Sequence, residues 1–172
     1  NIYGSFKDRA IEIKVGSGYS VIENIRGGFL SSANSVTGEP LVSIGEHASN
    51  ITLKDAKLLC GSADFGQAIQ LQGDHHLVQN VYANCKNTIS HGVSFGASHV
   101  NSLNKNNAVK DCELYLGSIG RFINVSNPVG TISDNSITGV KFFGTPSSGE
   151  SVTVGGGVRT IITDNYFESG VI

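Results

Sequence analysis

The residues best equipped for chemistry are histidines with acidic neighbours: Glu46-His47, Asp74-His75-His76, and His99 further along the chain. A carboxylate beside an imidazole can act as a general acid or base, and two carboxylates can flank a glycosidic bond. On residue type and spacing Glu46, Asp74 and His75 are the candidate catalytic groups, with His47 and His99 as candidate substrate contacts. The same histidines show no characteristic metal-ligand spacing, so neither a metal site nor a cofactor is expected.

Two further stretches carry groups suited to sugars. Gly96 to Asn107 reads GASHVNSLNKNN, a polar stretch expected to be a long loop, in which Asn101 and Asn104 can both donate to and accept from hydroxyls. Gly139 to Gly149, also expected to be a loop, contains Lys141-Phe142-Phe143. If one of the adjacent rings points into a core, the other points out, and Phe143 is the candidate sugar-stacking or subunit-contact ring. A third insertion, Leu30 to Pro40, is rich in Ser, Asn, Thr and Gly.

Residues so far apart in sequence meet only if the chain stacks upon itself, and a two-part repeat supplies the means. The first part is a short alternating strand: Ile11-Glu12-Ile13, Val42-Ser43-Ile44, Ile69-Gln70-Leu71, Val93-Ser94-Phe95, Ile123-Asn124-Val125 and Val152-Thr153-Val154, with starts 31, 27, 24, 30 and 29 residues apart. The second is an apolar residue, an outward residue, then Asn or Asp: Ile22-Glu23-Asn24, Leu53-Lys54-Asp55, Val78-Gln79-Asn80, Val109-Lys110-Asp111, Ile132-Ser133-Asp134 and Ile162-Thr163-Asp164.

Alternate side chains of a strand face opposite sides, so Ile, Val, Leu and Phe point inward and the intervening polar residues form outward ladders. A coil of about 28 residues cannot bury its apolar edge alone and must stack on the next at about 4.8 Å. Asn and Asp tolerate the left-handed backbone of a sharp corner, which accounts for their column without invoking calcium. Asp111 and Asp134 are expected to be neighbours in that column and to repel unless backbone donors or a cation intervene. The fold expected is all-β: a single-stranded right-handed parallel β-helix of about five and a half coils, residues 1–172 forming one domain that is expected to be a fragment or processed part of a longer chain.

Composition agrees. Gly numbers 22 and Pro 3, and no helical period of apolar residues runs over three turns. Twelve Lys and Arg against 14 Asp and Glu give a net charge of −2, with the signs scattered, so no basic stripe for nucleic acid is present. No apolar run reaches the roughly 20 residues of a membrane span. Cys60, Cys85 and Cys112 form neither a C-x-x-C pair nor an even set, and are expected to be buried thiols.

The runs Ala68-Ile69-Gln70-Leu71-Gln72-Gly73, Leu77-Val78-Gln79-Asn80-Val81-Tyr82 and Val158 to Phe167 resemble coils of the pectin-lyase-like right-handed β-helix proteins, and the likeness covers nearly the whole chain. Among these, bacteriophage tailspikes and polysaccharide depolymerases look most similar. The resemblance implies a homotrimer, on a virion tail or extracellular, that binds or cleaves a bacterial surface glycan. A non-catalytic adhesin or structural segment and a secreted lyase or epimerase remain open alternatives. The lyase residues of the family have no counterparts here: Arg121 enters a strand well inside the stack without an acidic cluster, and His91 holds the equivalent place one coil earlier.

Overall fold

Alternation along each strand, repeated coil after coil, produces a parallel β-solenoid. A computed structural model of the chain describes residues 2–6, 11–16, 19–29, 36–59, 64–84, 87–96, 103–126, 131–147, 151–155 and 157–169. The first face stacks the strands Ile11–Gly16, Val36–Ala48, Asp64–Leu71, Asn87–Phe95, Arg121–Ser126 and Val152–Gly155. Ile11, Val42, Ile69, Val93, Ile123 and Val152 lie directly opposite one another along this face. The outward ladder Glu12, Ser43, Gln70, Ser94, Asn124 and Thr153 follows in the same register.

The second face is short. It holds Ser20–Glu23, the first residues of Ile51–Leu59 and Leu77–Asn84, then Ala108–Lys110, Ser136–Thr138 and Ile161–Thr163. The third face takes the remainder of those two long strands together with Ile25–Phe29, Glu113–Ile119, Lys141–Pro146 and Tyr166–Ser169. A small corner sheet of Gly73–Asp74, Leu103–Lys105, Thr131–Ser133 and Gly157–Val158 precedes the second face. About four turns carry this full set of strands, fewer than the five and a half expected.

The core runs down the axis. Ile44, Leu53, Leu58, Ile69, Leu71, Phe95 and Leu114 are fully buried, each burial contributing about 1.5–3 kcal/mol. Towards the last coils Phe122, Phe142 and Phe167 cluster at centroid distances of 5.2–5.5 Å. Gly92 makes room beneath them, since a Cβ there would lie 2.6 Å from Phe122 O and 2.8 Å from Leu116 Cδ1.

Two corner columns, not one, require left-handed backbone. Asn24, Asp55, Asn80, Asp111, Gly139 and Asp164 turn the chain from the second face to the third, with φ between 52° and 68°. Asn50, His75, Asn106, Asp134 and Arg159 turn it onto the second face, with φ between 51° and 59°. Asp134 therefore belongs to the other column, and the residue above Asp111 is Gly139. An apolar-x-Asp triplet precedes a bend of either kind, which is why Ile132-Ser133-Asp134 mimicked the second-face unit. Asp111 accepts from Gln79 Nε2 at 3.2 Å, and Asp134 is held by the Arg159 guanidinium, so the expected repulsion does not arise.

The expected loops shrink in the same way. Lys141–Pro146 is a strand of the third face, Leu103–Lys105 a strand of the corner sheet, and Val36–Ala48 begins inside the Leu30 to Pro40 stretch. Cys112 is a free buried thiol whose pKa desolvation pushes up to about 12, while Cys60 and Cys85 lie outside the described residues.

Inside the corner before the second face, polar side chains replace apolar ones and join the coils. Asn104 Nδ2 donates to Leu71 O and Gly96 O at 2.6 and 2.8 Å, and its Oδ1 accepts from Asn107 Nδ2 and Asn135 Nδ2 at 2.9 and 3.0 Å. Every bonding position of that amide is filled, as burial demands. The backbone N–H of His76 donates to Asn107 Oδ1 at 2.8 Å, and that of Asn107 donates to Asn135 Oδ1 at 2.9 Å.

Candidate functional site

Asp74 closes a two-residue strand and His75 occupies the corner that follows, at φ 59°. His75 Nδ1 donates to Asp74 Oδ2 at 2.9 Å, and Asn106 Nδ2, one coil on, donates to His75 Nε2 at 3.2 Å. These partners occupy both ring nitrogens. The pair is solvent-accessible, the side chain of His75 being about half exposed. A histidine at a left-handed corner, where Asn or Asp fits more cheaply, is a strained choice.

Glu46 and His47 precede Ser49, which bridges to Asp74 in the next coil, so the backbone brings both carboxylate-bearing segments to one edge. His47 is exposed there, while the Glu46 side chain, like His99 and Asn101, lies outside the described residues. Asn104 is fully buried and fully bonded, so it serves the interior network rather than a surface contact. Among the described residues no group of His, Cys, Asp and Glu is placed to hold a metal ion.

His76, next to the exposed pair, belongs to the interior. Ile51 N–H donates to its Nδ1 at 3.3 Å and its Nε2 donates to Gln72 O at 2.9 Å, so the ring is neutral. Burial lowers its pKa. His91 lies opposite Arg121 across the first face, and its pKa is also lowered, by burial first and then by the guanidinium.

The third face holds the second candidate surface. Phe142 points inward and is buried, while Phe143 points outward and stacks on Tyr115 at 4.5 Å and 10°. Tyr82 approaches Tyr115 at 5.5 Å, and Tyr166 approaches Phe143 at 6.0 Å. Four rings from four successive coils thus form one zigzag stripe parallel to the solenoid axis. The register explains it: Arg26, Lys57, Tyr82, Glu113, Lys141 and Tyr166 form one outward column, and Leu59, Asn84, Tyr115, Phe143 and Glu168 the next.

Carboxylates orient the phenols. Tyr115 OH donates to Glu113 Oε1 at 2.6 Å, which pushes its pKa up to about 12, and Tyr166 OH donates to Glu168 Oε2 at 2.9 Å, which raises its pKa. Tyr166 is 52% exposed and ends the stripe. At the opposite end the stripe opens into a groove of about 400 Å³ lined by Asn24, Arg26, Asp55, Lys57, Asn80 and Tyr82. Lys57 Nζ sits 5.3 Å from the Tyr82 centroid, and Asn80 Nδ2 donates to Asp55 Oδ1 at 2.6 Å.

Sequence reasoning found Phe143 and missed Tyr82, Tyr115 and Tyr166. The signal is position after a corner: Tyr82 and Tyr166 follow Asn80 and Asp164 by two residues, and Tyr115 and Phe143 follow Asp111 and Gly139 by four. Neither a protein-family model, nor a curated protein, nor a solved structure matches the chain.

Proposed function

We propose that this protein recognises an extended cell-surface polysaccharide along its third face. The aromatic stripe carries the reading: four outward rings, one per coil, with hydroxyl and carboxylate groups at their edges. Aromatic surfaces bury the apolar C–H patches of sugar rings, and flanking polar groups fix orientation. Several weak, repeated contacts suit a polymer better than a small molecule. The tailspike-like resemblance of the repeat points the same way and adds the expectation of a homotrimer, which sedimentation would test.

Cleavage, in this reading, falls to Asp74 and His75 with Glu46 on the same edge. A binding-only role has its own support, because both nitrogens of His75 already have partners and the residue turns a corner. The test is a panel of bacterial capsular and O-antigen polysaccharides, scored for retention and for fragments. Retention that Tyr166→Ala weakens by roughly tenfold, a loss of about 1.4 kcal/mol, is the expected result. Absence of binding to every member, or retention indifferent to both Tyr166→Ala and Tyr82→Ala, would refute the proposal.

A further inference from the structure

Arg26 and Lys57 lie directly opposite each other on adjacent strands of the third face. Like charges in that relation repel and destabilise the pair of strands. Three other surface cations meet carboxylates: Lys54 with Glu23 at 2.8 Å, Lys141 with Glu113 at 4.0 Å, and Arg159 with Asp134. Among the described residues neither Arg26 nor Lys57 has a carboxylate within ion-pair distance. Both line the groove at the head of the aromatic stripe, and Lys57 also sits over the Tyr82 ring.

We infer that this groove is the subsite for an anionic substituent of the glycan, a carboxylate or a phosphate or sulfate ester, which Arg26 and Lys57 bind together. The guanidinium offers paired donors to such a group and the ammonium a point charge. The lining's one acidic residue, Asp55, accepts from Asn80 at the corner and keeps its charge, so two cations against one carboxylate leave the groove with an excess of one positive charge. An anion between them removes their mutual repulsion while its sugar ring continues onto Tyr82. Only a glycan with such a group meets both the groove and the stripe, so the inference rests on the polysaccharide reading and narrows it to acidic polymers.

The experiment uses the full chain and an array of neutral polysaccharides, uronate-containing ones, the same ones after chemical reduction of their carboxyl groups, and phosphodiester- or sulfate-bearing polymers. Affinity is measured at low and high salt. The expected result is a preference of roughly tenfold for anionic forms at low salt, shrinking as screening increases. Arg26→Gln with Lys57→Gln should abolish the preference while leaving the weaker binding of the neutral or reduced form, and the array identifies which anion is taken. Equal affinity for a uronan and its reduced form with no favoured phosphate or sulfate polymer, or a preference that survives the double variant, would overturn the groove assignment and leave the stripe standing. Binding to nothing in the array would overturn the stripe itself.

Discussion

Ile51 and His76 belong to successive coils and are joined through the buried corner, the backbone N–H of Ile51 donating to Nδ1 of His76 at 3.3 Å. The bond requires a neutral ring, and burial holds the His76 pKa below its usual 6.5. A depressed histidine pKa means that the unfolded chain takes up protons first. The stabilisation is fully present above about pH 6.5 and is lost as the pH falls below it towards the folded value. The melting temperature should therefore drop between pH 7 and 5, and His76→Gln should flatten part of that slope, with His91, shifted in the same direction, supplying the rest. A melting temperature constant across this range would contradict the buried neutral ring.

Asn104 should matter more to stability than its surface-loop appearance suggests. Asn104→Ala leaves Leu71 O, Gly96 O and the amides of Asn107 and Asn135 short of partners in the buried corner. At about 1–3 kcal/mol for a group left unsatisfied, a loss of at least about 3 kcal/mol is expected in chemical denaturation. A loss under about 1 kcal/mol would show that water enters the corner freely.

At Gly139 two causes can be separated. Its φ of 68° disfavours side chains, and a Cβ would lie 2.7 Å from Asp111 Oδ1, the movable end of an exposed side chain. If the backbone angle dominates, Gly139→Asn should cost less than Gly139→Ala, which should cost about 1 kcal/mol. The reverse order in thermal melts would assign the cost to crowding instead.

His75→Asn provides the sharpest division between an enzyme and a binding protein. Asn is at home at a left-handed corner, as Asn50 and Asn106 on either side demonstrate, so the fold should be unharmed or slightly stabilised. Fragment release from a bound polysaccharide should disappear in this variant while retention persists. Cleavage that continues undiminished would remove His75 from the chemistry.

The first face was legible in the sequence because each of its strands repeats a strict apolar-polar-apolar triplet, which by itself aligns Ile69, Val93 and Ile123. The second face was legible for five of six coils. It failed at Ile132-Ser133-Asp134, where the corner before the face and the corner after it ask for the same backbone and attract the same residues. Asn104 was misread because solenoid interiors admit polar side chains when the ladder satisfies all of their bonds, a condition no local pattern reveals. The aromatic stripe was largely hidden for a different reason. Tyr82, Tyr115, Phe143 and Tyr166 are 33, 28 and 23 residues apart, and alternate between two columns, so no single period finds them.

The interior asparagines give the stack a direction. His76 and Asn107 each hand an amide proton to an oxygen of the coil that follows, and Val140 does likewise to Asn165 Oδ1 at 2.9 Å. Peeling coils from the far end strips the backbone amides of His76, Asn107 and Val140 of their acceptors, whereas peeling from the near end strips instead the side-chain amides of Asn107, Asn135 and Asn165, which donate back to Gly73 O, Asn104 O and Ile137 O. Deletions from the two ends are thus unequal, and amide exchange at His76, Asn107 and Val140 would register which end lets go first.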